Sequence, residues 1–497
     1  LSSIKQLAGQ TMWYGVSSIA ARFLNYLLTP YLTSALLTSA YGEMQLIYSL
    51  IPFLNILFTY GLETAYFRYI QKKEQAADVY DTITVSLIIS TISLTTLMIL
   101  FRSAIADIIS LQNHTEYITW CAFIIGLDAL TTIAFAKLRH DNRPVKYAVI
   151  RISGILVYIA LTIFFLSVCP RIAKDHPDHF LLLFYKPGME VGYLILANVA
   201  QSLFTFILLR KEFFAFRWRF NKTLWREIMR YSMPLLIVGF GGMVNETMDR
   251  IMLRWWSTSA DPLTEIGIYS GCYKLSILIT LFVQAFRMGA EPFFFKQSQG
   301  ENPQRTYARV MKFFVIAVCL MFLVVVLYLD IWKHFLSRET YWTGLRVVPI
   351  LLLANMFLGI YYNLSIWYKV TNRTRAGATI TFIGAGITLL INFLFIPSFG
   401  YMACAWATFL CYGTMMVLSF VWGQKVYRIP YPWKKLVAYI VIVVLLYGIA
   451  ILFSKIGLGT AANFAFSTLL LALFGWFILN VEKKEFSRMP VIGKFIR

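Results

Sequence analysis

Residues 436–453 read LVAYIVIVVLLYGIAILF, eighteen consecutive positions without a charge, set between Lys434-Lys435 and Lys455. A helix of about 20 apolar residues crosses the roughly 30 Å hydrocarbon core of a bilayer. Inside lipid, only a helix pairs every backbone N–H and C=O within one segment. This stretch therefore reads as a membrane-spanning helix, and it is not alone. Working outward from it, windows of about 20 apolar residues begin near Ala8, Glu43, Thr82, Tyr117, Tyr147, Val191, Tyr231, Ile266, Arg309, Val347, Gly377, Met402, Leu436 and Ala461. The expectation is an all-α polytopic membrane protein with about 14 transmembrane helices. Between the third and fourth windows, Arg102 to Thr119 mixes apolar and polar residues and has room for a short interfacial helix.

Composition agrees. The chain has 497 residues, 59% hydrophobic and only 14% charged, with a mean hydropathy of +0.66; soluble domains carry roughly 25% charged residues. A water-soluble fold is excluded. The net charge of +21 comes from basic residues dispersed between apolar runs, not from the basic and aromatic patches of a nucleic-acid binder. Counted by loop, Lys and Arg number about 30 in the even-numbered loops and the two ends, against about 8 in the odd-numbered loops, the asymmetry that marks cytoplasmic segments. Both ends of the chain are expected on the cytoplasmic side. No cleavable signal peptide is read in the first apolar stretch, which is taken as the first membrane helix.

Residues 210–230 carry Arg210, Lys211, Arg217, Arg219, Lys222, Arg226 and Arg230 among Phe213, Phe214, Phe216, Trp218 and Trp225. This basic amphipathic pattern suits the surface of an anionic phospholipid layer. It divides the chain into an N-terminal lobe (1–210), a linker (211–230), a C-terminal lobe (231–425), and a final helix pair with a basic tail (426–497). The halves show internal similarity. Gly42, Tyr48 and Leu50 match Gly267, Tyr273 and Leu275 at a shift of 225; Asn142-Arg143 matches Asn372-Arg373 at a shift of 230. Such a parallel repeat is a common route to a transporter.

Polar residues inside the apolar windows are the candidates for function. In helix one, Thr11, Gly15, Ser18, Arg22, Asn25 and Thr29 share one face. Helix packing explains Ser, Gly and Thr at such positions. Arg22, near mid-span, costs about 2.5–3.5 kcal/mol to insert and is better explained by a cavity. Helix seven holds Asn245, Glu246, Asp249 and Arg250, with Glu246 spaced to share a face with both Asp249 and Arg250. Self-neutralisation is the plain explanation of that set, and a cation-coupling or cargo site the functional one. Lys274 lies about two turns into helix eight, and Asp128 is the carboxylate near the middle of helix four. The candidate cargo-binding cations are thus Arg22, Lys274 and Arg250, the cavity's polar face Ser18, Asn25 and Asn245, and the ion-coupling residues Asp128, Glu246 and Asp249. Arg254, beside Trp255 and Trp256, reads as an interfacial anchor. The run Asp175-His176-Pro177-Asp178-His179 lacks further ligands and is set aside as a metal site. No phosphate-binding loop, nucleophile elbow or zinc-protease helix occurs, so no catalytic residue, resident metal or cofactor is expected; a proton or sodium ion is the candidate coupling species.

Several of these features form a recognisable series: Arg22 in helix one, Tyr41-Gly42 opening helix two and Gly61-Leu62-Glu63-Thr64-Ala65-Tyr66-Phe67-Arg68 closing it. In the second half come Tyr231-Ser232-Met233-Pro234, Asp249-Arg250, Gly267-Ile268-Tyr269-Ser270, Pro292, and Asn392-Phe393-Leu394-Phe395-Ile396-Pro397 with Gly400 and residues 403–407. Over roughly residues 5 to 425 the chain resembles the polysaccharide-transporter branch of the multidrug, oligosaccharidyl-lipid and polysaccharide exporter superfamily. The resemblance implies a V-shaped pair of six-helix lobes plus two C-terminal helices, in a multi-pass protein of the bacterial cytoplasmic membrane that alternates between inward-open and outward-open states. It also implies an undecaprenyl-diphosphate-linked oligosaccharide as cargo, destined for O-antigen, capsule or exopolysaccharide. Cavity cations such as Arg22 and Lys274 would meet the diphosphate. A monomer is implied, with other polysaccharide-assembly membrane proteins as candidate partners. Competing readings are a cation-coupled multidrug antiporter, whose cavity needs carboxylates and aromatics, a lipid II flippase, and a membrane-embedded oligosaccharide polymerase or ligase. Against the last, the longest outer loop, about Cys169 to Glu190, is shorter than the roughly 30 residues a folded loop domain would need.

Overall fold

The computed structural model describes residues 19–71, 76–176, 179, 185–298 and 302–487. It is all-helical in architecture. Residues 19–27 are helical and continue past Leu28 into α1 (Thr29–Ala35). There follow α2 (Thr38–Thr59), α3 (Leu62–Tyr69), α4 (Ala76–Leu100), α5 (Arg102–Ile108), α6 (Thr115–His140), α7 (Pro144–Ile163), α8 (Cys169–Asp175) and α9 (Glu190–Phe213). The remainder is α10 (Lys222–Trp256), α11 (Pro262–Gln297), α12 (Pro303–Leu327), α13 (Val348–Leu364), α14 (Thr374–Phe399), α15 (Tyr401–Val426), α16 (Trp433–Ser454) and α17 (Thr460–Val481), with short helical turns between some of them.

Among the described residues, 12 helical segments are long and apolar enough to cross a membrane. The two other expected windows differ for identifiable reasons. The first begins at Ala8, and much of it lies outside the described residues. The seventh is α10, a 35-residue helix whose hydropathy is lowered by Asn245, Glu246, Asp249, Arg250 and Arg254. The mixed segment after α4 does hold a short helix, α5, which ends in a tight turn through Ser110 at φ 56°.

Helix boundaries follow local chemistry. Tyr60 (φ 31°) and Gly61 (φ 74°) interrupt the span that begins at Thr38, separating α2 from α3. Glycine enters this left-handed region without a Cβ penalty. The two Asn-Arg turns of the internal repeat share one backbone pattern. Asn142 and Asn372 both take positive φ, 54° and 56°. The following Arg143 and Arg373 N–H groups donate back to Leu138 O at 3.0 Å and Tyr368 O at 2.8 Å. Asparagine tolerates this conformation better than other side chains, and the bonds satisfy carbonyls that the helix end would otherwise leave open.

By internal contact the chain groups into two units: one takes the chain through Gly271 together with Thr381–Ala407, the other Cys272–Ile380 and the chain from Thr408 onward. In the first unit the linker is strapped to the start of α4. The Arg217 N–H donates to Asp81 Oδ1 (2.9 Å), the Asn221 N–H to Thr82 Oγ1 (3.2 Å) and Trp225 Nε1–H to Ser86 Oγ (2.9 Å). Phe214 and Trp218 remain exposed, 64% and 74%. Also within this unit, the first turns of α2 and α11 meet. A Cβ on Gly42 would overlap the Leu263 carbonyl oxygen and lie 2.8 Å from Gly267 N; one on Gly267 would overlap the Thr38 carbonyl oxygen. In the second unit, α16 and α17 pack on α12. There the buried Glu482 carboxylate accepts from Lys312 Nζ (2.7 Å), Lys435 Nζ (2.6 Å) and Tyr439 Oη (2.7 Å).

Candidate functional site

The polar residues picked out of the apolar windows fall into separate groups. On α10, Asn245 and Asp249 are one helical turn apart and both buried. Asn245 Nδ2 donates to Thr381 O (3.3 Å), and Thr388 Oγ1 donates to Asn245 Oδ1 (3.4 Å), which ties α10 to α14. Asp249 Oδ1 accepts from the Arg250 backbone N–H (2.8 Å) and from Arg250 Nη1 (2.9 Å), while Oδ2 accepts from Tyr269 Oη (2.6 Å). The Arg250 guanidinium also lies 5.6 Å from the Tyr269 ring centroid and donates to Glu246 O (3.2 Å). Asp249 and Arg250 therefore neutralise one another, with further hydrogen bonds to Glu246 O on α10 and from Tyr269 on α11. A buried pair completed this way is costly to break on one side only. Glu246 is exposed, whereas Asp249 and Arg250 are buried.

Asn392, one turn beyond Thr388 on α14, is fully buried, and neither of its amide atoms has a hydrogen-bond partner among the described residues. Leaving a buried amide unsatisfied costs about 1–3 kcal/mol per group. Its place on α14, level with Asp249 by register, adds a polar residue to this cluster. Sequence reading quoted Asn392 within the Asn-Phe-Leu-Phe-Ile-Pro run but attached no role to it. The available signal was an amide inside an otherwise apolar span.

Asp128 belongs to a second polar place, between α6 and α9. Ser202 Oγ donates to Asp128 Oδ1 (2.8 Å), and the hydroxyls of Thr131 and Thr132 bond back to the Asp128 carbonyl (3.0 and 2.9 Å). One turn and more toward the basic loop, the Arg151 guanidinium of α7 stacks over Phe135 (4.8 Å) and Tyr147 (5.5 Å).

Arg22 and Asn25 are both exposed on the helical stretch 19–27. Ser18 lies outside the described residues. Lys274, on α11, is half-buried. Arg22 belongs to the first unit and Lys274 to the second. Nearer the basic loops, sequence reading passed over a further cluster in the second unit. Glu291 Oε1 accepts from Arg287 Nε (2.8 Å) and from Lys369 Nζ (2.6 Å), with Arg287 4.6 Å over the Tyr362 ring. The pairing joins residues 78 positions apart, which no local spacing reveals. The described residues contain no group of three or more His, Cys, Asp or Glu side chains arranged to hold a metal ion.

Comparison with known proteins places this fold. It is similar to the lipid II flippase MurJ in an inward closed conformation, with a TM-score of 0.71 over 94% of this chain and 98% of that chain, at 11% identity. It is also similar to an inward-facing multidrug resistance MATE family transporter of the MOP superfamily, with a TM-score of 0.60 over 86% of this chain and 95% of that chain, at 12% identity. In sequence, an uncharacterized membrane protein of Methanocaldococcus jannaschii is 23% identical over 500 aligned positions, covering 92% of each chain. One from Haemophilus influenzae is 20% identical over 397, covering 77% of this chain and 91% of its own. The family model described as "Polysaccharide biosynthesis protein" matches residues 7–298. That match takes in α1 through α11 and more than half of the 497 residues, so the chain belongs to the polysaccharide biosynthesis protein family.

Proposed function

We propose that this protein is a flippase that moves undecaprenyl-diphosphate-linked oligosaccharide units from the cytoplasmic to the outer leaflet of a bacterial cytoplasmic membrane, by alternating access between two lobes. The observation that carries the reading is Arg22, a permanently charged residue exposed on a helix of a chain with 12 candidate membrane spans among its described residues. A guanidinium at membrane depth is tolerated where it meets water, an anion or a counter-charge. Its planar fork matches a phosphate oxygen pair. Lys274 supplies a second cation on α11. Family membership supports a role in polysaccharide assembly, and the likeness of fold to MurJ and to MATE transporters supports a carrier that holds its cargo between helices.

No catalytic residue enters this reading. Asp128, held by Ser202, and the Asn245, Asp249 and Asn392 cluster are the places where a proton or sodium ion would couple to the cycle. The exposed face of the linker, with Arg217, Trp218 and Arg219, rests on anionic phospholipid.

The test is transbilayer movement in reconstituted liposomes, read as loss of enzyme-accessible lipid-diphosphate oligosaccharide from one leaflet. Arg22→Ala and Lys274→Ala are each expected to slow movement roughly ten-fold or more, since hydrogen bonds to charged groups contribute about 1.5–3 kcal/mol. Movement of lipid II but of no oligosaccharide-bearing lipid would reassign the cargo. Efflux of an organic cation that depends on Asp128 or Asp249, with no lipid movement, would put the drug antiporter in place of the flippase.

A further inference from the structure

The contact between the first turns of α2 and α11 is reciprocal. Gly42 sits against the carbonyl of Leu263, the residue four before Gly267; Gly267 sits against the carbonyl of Thr38, the residue four before Gly42. The shift of 225 that aligns Gly42 with Gly267 in the sequence also aligns Thr38 with Leu263. Equivalent residues of the internal repeat therefore meet one another about a local two-fold relation, with each half presenting its glycine to the other's backbone. Any side chain at either position would occupy space held by a carbonyl oxygen of the opposing helix, a rigid group that cannot rotate aside. Only a pair of glycines allows this approach.

A second observation fixes what would move. Glu265, two residues before Gly267, accepts a hydrogen bond from the Ser257 hydroxyl at the end of α10 and from the Tyr401 N–H at the start of α15 (2.9 Å). Gly400, at φ +54°, leaves room for the Glu265 carboxylate between α14 and α15. The first turn of α11 is thus fastened to its own half by one side chain, whereas it meets α2 through packed backbone. The Glu265 bonds would keep the first turn of α11 with α10 and α15 when the glycine pair separates.

We propose that Gly42 and Gly267 form the closure point of the end of the protein opposite its basic loops, and that their separation opens a path from outside to the residues behind them. Those residues continue the same faces inward: Gln45 and Ser49 on α2, and Ser270 on α11. Ser270 is 1% exposed, as a group sealed behind the closure should be. The proposal rests on the alternating-access reading, because the pair has a role only if this end opens.

The experiment places a cysteine at Ser270 and measures its labelling in spheroplasts by a membrane-impermeant maleimide added from outside. The six native cysteines are buried. In the otherwise unaltered chain Ser270→Cys should label slowly. Adding Gly42→Ala or Gly267→Ala should raise the rate about ten-fold or more, because a modest shift in free energy moves a two-state population by that factor. Gly242→Ala, where a Cβ meets nothing within 4 Å, should leave it unchanged. Unaltered labelling in folded, monodisperse Gly42→Ala and Gly267→Ala chains would overturn the proposal.

A chain carrying Thr38→Cys and Leu263→Cys, joined by a short bifunctional reagent, tests the same point with both glycines intact. Transport should stop on joining and return on cleavage of the link. Undiminished lipid movement in the joined chain overturns the closure point and leaves the flippase standing. Glycine-dependent labelling with no movement of lipid-linked oligosaccharide does the reverse.

Discussion

Glu482 is a carboxylate buried one residue beyond α17, and burial alone would raise its pKa. The hydrogen bonds from Lys312, Lys435 and Tyr439, with the Lys312 charge beside them, outweigh that and hold it below the usual carboxylate range. A carboxyl whose folded pKa lies below its unfolded value, about 4.3 for glutamate, stabilises the fold fully above that pH. The contribution is lost as pH falls through the folded value. The melting temperature of the purified protein should therefore drop as pH is lowered below about 4, and Glu482→Gln should flatten that part of the curve. Among the described residues, Glu482→Ala leaves the buried Lys312 with only Glu485, at 3.3 Å, as an acidic neighbour. It is expected to destabilise the chain by about 3 kcal/mol in denaturant titration. Asp128→Asn preserves an acceptor for Ser202 but removes the charge. If Asp128 couples transport to an ion, this variant folds normally and its transport no longer responds to an imposed proton or sodium gradient; an unchanged response removes Asp128 from that role.

Helices explain how much of the architecture could be read in advance. Apolar windows mark spans because lipid demands a continuous apolar surface, and from α2 onward every helix but the short α3, α5 and α8 begins within about ten residues of an expected window start. What the windows miss is set by backbone geometry rather than hydropathy: the break at Tyr60-Gly61, the wider turn over Phe164–Val168 before α8, and the three hydrogen bonds that strap the linker. The strap has a cap at its end. Asn221 accepts from the Thr223 and Leu224 N–H groups, satisfying two donors that open α10. Asn221→Ala should cost about 1 kcal/mol and raise amide hydrogen exchange over residues 217–225, while exchange in α12 stays unaltered. The Asn142 turn makes a parallel prediction: Asn142→Val places a β-branched residue at positive φ, with a cost of about 1–2 kcal/mol, whereas Asn142→Gly should be near neutral.

Across the whole molecule, residue chemistry was legible and spatial relation was not. Arg22, Asp128, Asp249, Arg250 and Lys274 stand out because charge in an apolar window needs a reason. Self-neutralisation of the α10 charges is one of the two readings the sequence leaves open, and the Asp249–Arg250 pair bears it out; the sequence shows neither that Tyr269 of α11 donates to Asp249 nor that Glu291 gathers Arg287 and Lys369. The glycine pair appeared in the sequence only as a weak repeat; its meaning came from the two equivalent turns meeting each other. The strapped linker bears on the covalent continuity of the chain. Trp218 and its neighbours are exposed, yet the chain on both sides is held: Glu212 by Lys146 at 2.5 Å, and Asn221 and Trp225 by α4. In the same unit α10 lies along α2 and α3. A protease cut at Trp218 should thus yield two fragments that stay together in mild detergent, and two separately expressed polypeptides divided there should assemble into one working carrier.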